Sequence, residues 1–384
     1  MAARRPPLRA YAVCAPGLAP FVAAELRALG IHPGRTDRGG VTFRASHRQL
    51  YAANAWLRTS TRVLVRIGSF PARSFVELER GVERLELDGL VRPGAPMRLR
   101  VSSSASKLYH TTAIAERVAD AFNSTLVTAA DDPDFEAQLL VVRVTRDKLT
   151  ISADSSGLPL YRRGWHVAAG PAPLRETLAA AALAAVGWNG EAASGALVDP
   201  MCGAGTIPIE AARLAAGLPP SLRRSYSFEH WPAFEPGTWA SVAGELAAAE
   251  RDRRPVGVAI VASDRDPAAV EATRANAEAA GVVDLIDVAE GPVSALTPPD
   301  GVTSGWIVTN PPYGKRVDSG GRDLRNLYAA LGNVVRERFA GWRVGLVAAD
   351  ATLVGHTGLG LAPAVTTANG GIDVAVYTPP DHPS

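Results

Sequence analysis

GALVDPMCGAGTIPIEAARLAAG, residues 195–217, reads as a short apolar strand, a glycine-containing turn and a helix with an apolar face. Ala196, Leu197 and Val198 form the strand, which ends in Asp199. Cys202, Gly203, Gly205 and Thr206 form the turn, and Ile207, Ile209, Ala212 and Leu214 mark the buried face of the helix. Glycines in such a turn let a ligand approach backbone N–H groups at a helix N-terminus, a common device of nucleotide-binding α/β folds. G-x-G alone is weak evidence. An acid at the strand end is more telling, because Asp199 can hold a cationic ligand group that a dinucleotide lacks.

Downstream, VGVAIVASDRDPAAVEATRANAEAAG (256–281) repeats the pattern: a strand, an acid at its end (Asp264, then Arg265) and a helix. A carboxylate there accepts ribose hydroxyls in doubly wound folds, about 20 residues beyond the glycines. Here the separation is near 60 residues, because 218–255 intervene, so a simple NAD-binding unit fits poorly.

SGWIVTNPPYGKR (304–316) indicates the chemistry. A strand ends at Asn310-Pro311-Pro312-Tyr313, at the carboxyl edge where such sheets bind ligands. The prolines restrict the backbone, so the Asn310 amide oxygen and the Pro311 carbonyl can both accept from one planar amine. Two such bonds draw the nitrogen lone pair out of conjugation, and Tyr313 can stack on the ring bearing the amine. S-adenosylmethionine, with its sulfonium and ammonium, suits both this chemistry and Asp199. Strand–helix alternation from about 187 to 369 predicts a parallel α/β sheet, preceded by a helix from near Pro173 to Gly187.

The first half has a different character. Residues 11–70 read as a small βαβ-like unit, with Val22, Leu26 and Leu29 at helical spacing and Gly30 as the stop. Residues 97–155 supply a strand, an amphipathic helix (Ile114, Val118, Phe122) and two further strands, a small α+β unit. Between them, SASKLYHT (104–111) places Lys107, Tyr109 and His110 where they could meet a phosphate backbone or stack on a base. SGLPLYRRGWHVAAGPAPLRE (156–176) reads as an interdomain linker carrying Arg162 and Arg163.

Charge divides along the same line. Residues 1–165 hold 24 Arg and Lys against 15 Asp and Glu, whereas 166–384 hold 16 against 23. A basic half joined to an acidic half fits a polyanion-binding module attached to another unit. Hydrophobic and charged fractions of 47% and 20% are those of a globular protein, and no apolar run approaches the roughly 18 residues of a membrane span. The N-terminus reads as the start of a strand and not as a signal peptide. Two cysteines, Cys14 and Cys202, exclude a disulfide framework, have no partner at metal-ligand spacing and favour the cytoplasm. Cys202 reads as a small space-filler, Glu210 as a helix-face charge, and Asp318 and Asp323 as parts of a solvated loop.

Nearly the whole chain resembles the THUMP-domain RNA methyltransferases that form N2-methylguanosine. The resemblance rests on GLAPFVAAELRALG, WLRTSTRVL, SKLYHTTAIAERV, DSSGLPLYRRGWH, APLRETLAAAAL, DPMCGAGTIPIEAA and TNPPYGKR. It implies a ferredoxin-like piece (1–68), a THUMP RNA-binding domain (69–155), a linker (156–172) and a Rossmann-like methyltransferase domain (173–384). It implies S-adenosylmethionine as cofactor, ribosomal or transfer RNA as partner, no obligate protein partner and no metal. By the same resemblance Asp199, Gly203 and Gly205 line the methionine end, Asp264 holds the ribose, and Arg175 and Glu176 lie beside the cofactor. Asn310, Pro311 and Tyr313 face the guanine amine. The family's larger two-enzyme form is not expected at this length. One departure stands out: Glu290-Gly291-Pro292 replaces the Gly-Asp pair common near the adenine, leaving either Glu290 as a substitute contact or backbone groups alone to hold the ring.

Two other readings compete. NPPY also occurs in adenine-N6 and glutamine-amide methyltransferases, although the basic first half disfavours both. A non-catalytic RNA-binding protein with a degenerate methyltransferase fold is the second.

Overall fold

The computed structural model describes residues 6–87, 89–92, 94–128, 137–168, 174–313 and 324–380, and contains two seven-stranded sheets. The first half runs β1 (Leu8–Val13), α1 (Ala19–Ala28), β2 (Pro33–Asp37), β3 (Gly40–Ala45), α2 (His47–Trp56) and β4 (Arg62–Pro71). Then follow α3 (Phe75–Glu83), β5 (Met97–Ser104), α4 (Thr111–Ala121), β6 (Gln138–Thr145) and β7 (Lys148–Asp154). The first six elements make a ferredoxin-like βαββαβ unit with strand order β2-β3-β1-β4. The sheet continues without a break through β7, β6 and β5. β4 pairs with β1 on one side and β7 on the other, so the expected boundary at residue 68 falls inside a strand.

Two elements escaped the sequence pattern. β2 is an edge strand with four of its five residues exposed, so it carries no apolar alternation. α3 is short and buries only Leu78 and Val82, capped by Ser74 accepting from the Glu77 N–H. The helices pack on one face of the sheet. Val63, Val65, Val142, Val144 and Ile151 join Leu26, Leu50, Leu78 and Ile114 in the core, whereas Tyr11, Leu64 and Leu139 of the opposite face stay outside it.

The second half runs α5 (Glu176–Ala185), β8 (Ala196–Asp199), α6 (Thr206–Ala215), α7 (Pro236–Arg251), β9 (Ile260–Asp264), α8 (Pro267–Ala279) and β10 (Asp287–Glu290). It closes with β11 (Gly305–Thr309), α9 (Leu324–Arg338), β12 (Arg343–Ala348), α10 (Ala351–Gly355), β13 (Ala362–Asn369) and β14 (Ile372–Thr378). The order is β10-β9-β8-β11-β12-β14-β13. Six strands run in one direction, but β14 runs antiparallel to both its neighbours, so the sheet is mixed where a parallel one is expected. Gly370 and Gly371, at φ 60° and 91°, make a two-residue hairpin turn that forces this reversal.

The halves are bound by buried contacts. Residues 156–168, expected to be a linker, pack as a strap: Trp165 and Leu160 are sealed from solvent. Arg163 is 1% exposed, donating to Glu210 Oε1 (3.0 Å), the Leu160 carbonyl and the Arg58 carbonyl. It therefore faces away from any RNA, contrary to expectation, because a buried guanidinium must satisfy its donors internally. Glu210, expected on a solvated helix face, is 1% exposed and also bonds Arg58 at 3.4 Å. The insertion before β9 adds an aromatic joint, with Phe228 stacked on Tyr51 of α2 at 4.2 Å between ring centres.

Candidate functional site

β8, β9 and β11 lie side by side and parallel, so Asp199, Asp264 and Asn310 arrive at one edge of the sheet. The chain moves outward from β8 to β10, then returns to place β11 beside β8. This reversal is the switch point at which α/β sheets open a ligand crevice. A cavity of about 400 Å³ lies there, lined by Asp199, Cys202, Gly203, Thr206, Asp264, Arg265 and Asn310. That volume lies within the range of small-molecule sites, roughly 300–1,000 Å³.

Each lining group is held from behind. Asp199 is 1% exposed and accepts from the Met201 N–H at 3.2 Å. Burial, with the nearby Asp264 carboxylate adding to it, pushes the Asp199 carboxyl up to about 7. Asp264 accepts from the Gly203 N–H through Oδ2 (3.0 Å) and the Asp266 N–H through Oδ1 (3.1 Å). A carboxylate has about four acceptor positions, so two remain for a pair of hydroxyls. Gly203 sits at φ 55° and no heavy atom lies within 4 Å of where its Cβ would be, so the loop backbone is open there. The N-terminus of α6, without a side-chain cap, presents Thr206 and Ile207 to the same cavity.

Asn310 carries the most specific feature. Its Oδ1 is shielded from solvent and has no hydrogen-bond partner among the described residues. A buried unsatisfied acceptor costs about 1–3 kcal/mol, so it marks a group kept for a ligand. Pro312 also lines the cavity, and its carbonyl accepts from Tyr328 Oη of α9 at 3.4 Å. Pro311 is buried, and Tyr313 packs half-buried against the core. The Gly314, Lys315 and Arg316 of this motif, with Asp318 and Asp323, lie outside the described residues.

Several expected contacts are placed differently. Gly205 is the left-handed cap of α6, and its absent Cβ would lie 2.9 Å from Thr273 Cγ2, so it serves packing against α8. Glu290 is exposed, and Pro292, Val293 and Ser294 form that wall instead. Cys202 lies against Thr273 Oγ1 at 3.4 Å, and burial pushes its thiol up, as suits a space-filler. Leu174 reaches the cavity, whereas Glu176 sits 3.6 Å from His166 Nδ1 and Arg175 covers the Tyr161 ring. Lys107, Tyr109 and His110 are exposed together at the β5–α4 junction, with Tyr109 and His110 rings 4.1 Å apart, and Arg162 is exposed on the strap.

Sequence reasoning found the helix after Asp264 but missed what α8 and α9 contribute to the site. Fully buried Asn276 accepts from the Val167 and Ala168 N–H groups (both 2.8 Å) and donates to the Ala168 and Ala204 carbonyls (both 2.9 Å). Thr273 donates to the Gly203 carbonyl at 2.8 Å. Leu327 and Ala330 of α9 close one side of the cavity. A polar pair three residues apart, Thr273 and Asn276, on an otherwise apolar helix face was the available signal.

Comparison with known proteins agrees with this architecture. "Ribosomal RNA large subunit methyltransferase K/L" of Psychromonas ingrahamii is 33% identical over 371 residues, covering 94% of this chain and 48% of the relative. The chain thus spans about half the length of the curated relatives it matches. A Listeria monocytogenes structure called a "predicted N6-adenine-specific DNA methylase" superposes with TM-score 0.83 at 28% identity, covering 97% of each chain. SMU.472, assigned as a methyltransferase and complexed with SAH, gives TM-score 0.83 at 25% identity and 98% coverage of each chain. Residues 9–64 match the RlmL ferredoxin-like domain, and residues 163–374 match the RMKL-like methyltransferase domain. The chain belongs to the RMKL-like methyltransferase domain family.

Proposed function

We propose that the chain is an S-adenosylmethionine-dependent RNA methyltransferase that acts on the exocyclic N2 amine of a guanosine. The observation that carries the reading is the shielded Asn310 Oδ1, without a partner among the described residues, in a cavity that also holds the Asp199 and Asp264 carboxylates. The residues present fit the cofactor. Asp199 suits its ammonium, the α6 N-terminus its carboxylate, and the spare acceptor positions of Asp264 its ribose hydroxyls. Pro292 and Val293 supply an apolar wall for the adenine, with Ser294 beside them, in place of Glu290.

When bound, S-adenosylmethionine would supply an electrophilic methyl carbon on positively charged sulfur, with a neutral thioether as leaving group for an attacking amine. The protein holds the amine: Asn310 Oδ1 and the Pro311 carbonyl accept its two N–H bonds and free its lone pair, while Tyr313 supports the base. Orientation of this kind accounts for much of the rate, and the proton lost from nitrogen needs no strong base. Ribosomal RNA is the substrate that the names of the curated relatives favour. Residues 69–155 act as a THUMP module between the ferredoxin-like unit (1–68) and the linker (156–172), and 173–384 form the catalytic domain. Lys107, Tyr109, His110 and Arg162 meet the RNA. Among the described residues no helix is long and apolar enough to cross a membrane, in keeping with a cytoplasmic enzyme.

The test uses the full chain, methyl-labelled cofactor, ribosomal RNA from a strain deleted for the gene, and duplex DNA, followed by digestion to nucleosides. Label in N2-methylguanosine is the expected result. Label in N6-methyladenosine would overturn the choice of base in favour of the activity named for the Listeria protein. Asn310→Ala should lower the rate about 10²–10³-fold, as for loss of one positioned polar group, and leave cofactor affinity unchanged.

A further inference from the structure

Among the described residues the first sheet has one face without helices, and that face carries a transverse row of arginines. Arg44 of β3 stands opposite Arg9 of β1. One step beyond the Ala10–Val65 pair, Arg9 faces Arg66 of β4, which pairs with Ser152 of β7. Ser152 pairs with Val141 of β6, and Val141 with Arg100 of β5. The row crosses six strands, about 24 Å at the usual spacing of about 4.8 Å between strands. Arg143, two residues along β6 from Val141, points the same way.

Arg9, Arg44, Arg100 and Arg143 are exposed and Arg66 is half-buried. Among the described residues none of the five makes an ion pair. Asp37, the carboxylate that acts on Arg66, already accepts from Tyr11 Oη and the Gly39 N–H. Such like charges repel: burial, Arg143 and Arg9 all push the Arg66 guanidinium down, with Arg143 the larger of the two charges. A fold gains no stability from this arrangement, so an external polyanion is the natural complement.

The structure assigns this helix-free face, centred on Arg9, Arg44, Arg66 and Arg143, as a docking surface for the phosphate backbone of RNA. The assignment rests on the RNA reading above and adds to it a surface apart from the Lys107–His110 turn. Serines and threonines interleaved with the arginines, among them Ser102, Ser104, Thr145 and Thr150, add uncharged donors for phosphate oxygens.

The test compares the full chain with a triple variant, Arg9→Gln, Arg44→Gln and Arg143→Gln, by fluorescence anisotropy on a mixed-sequence 30-nucleotide RNA over a salt series. A helix-side control, Arg27→Gln, Arg80→Gln and Arg84→Gln, removes the same charge. The triple variant should bind at least ten-fold more weakly and lose about 2 from its salt slope, near 0.7 per lost phosphate contact on single strands. SAH binding by calorimetry should stay unchanged, which excludes misfolding. A triple variant within two-fold of the unmodified chain, or a control that falls equally, overturns this surface and leaves the methyltransferase reading standing. Failure of the unmodified chain to bind any RNA overturns both. Displacement by poly-glutamate as effectively as by RNA overturns the surface in favour of an acidic protein partner.

Discussion

Arg163 Nε donates to Glu210 Oε1 at 3.0 Å, with both residues only 1% exposed, and this pair ties the strap to the helix that opens at the glycine loop. Arg58 of the ferredoxin-like unit reaches the other Glu210 oxygen. One carboxylate thus joins three parts of the chain. Glu210→Ala strips Arg163 of its paired carboxylate and leaves Arg58 with the lesser attraction of Glu25, and should cost about 3–5 kcal/mol in a urea titration. Replacing Glu210, Arg163 and Arg58 together by Met removes the desolvation penalty as well as the pairs, and should recover most of that loss. Equal destabilisation in the single and triple variants would show that shape, and not charge, binds the halves.

How much of this was legible in the sequence depends on the physical signal. Asp199, Asp264 and Asn310 announced themselves because a chain that ends buried strands in polar residues must place them at one sheet edge. Arg163 and Glu210 misled, since a lone charge in sequence looks solvated until its partner 47 residues away is seen. Asn276 and Thr273 showed only as a polar pair on a helix face, because their partners are carbonyls and amides of distant segments. β2 carried no pattern because an edge strand with both faces near water needs none.

Asn276 uses both acceptor positions and both donors on the strap and the glycine loop, all inside the protein. Asn276→Ala leaves the Val167 and Ala168 amides and the Ala204 carbonyl short of partners, about 1–3 kcal/mol each where they stay dry. The loop and strap should loosen together. Calorimetry should give at least ten-fold weaker SAH binding, with RNA affinity unchanged because no RNA-facing residue is touched. Weaker RNA binding with normal SAH affinity would assign Asn276 to the RNA side.

Asp199 provides a pH signature with opposite signs for binding and stability. Its carboxyl is raised from 3.8 to about 7, chiefly by burial. A cationic ligand requires the ionised form, so cofactor affinity should fall as pH drops below 7, approaching ten-fold per pH unit. In the ligand-free protein the folded state holds the proton more tightly than the unfolded one. Its contribution to folding stability is therefore full below pH 3.8 and is lost as pH rises to about 7. Asp199→Asn should flatten both profiles, read by calorimetry and by urea unfolding at pH 5.5 and 8.

Gly203 and Gly205 both have positive φ but are required for different reasons. An alanine at either position meets the left-handed penalty of about 1–2 kcal/mol. At Gly205 the new methyl also strikes Thr273 and Ile209, at 2.9 and 3.1 Å, and overpacking of that kind adds about 1–3 kcal/mol. At Gly203 it meets no atom within 4 Å and stands at the wall of the cavity. Gly205→Ala should therefore show the larger drop in unfolding midpoint. Gly203→Ala should keep more of its stability and lose more of its SAH affinity, because the methyl occupies space that the ligand would fill. If the two variants lost affinity in proportion to their loss of stability, the open space at Gly203 would have no role in binding.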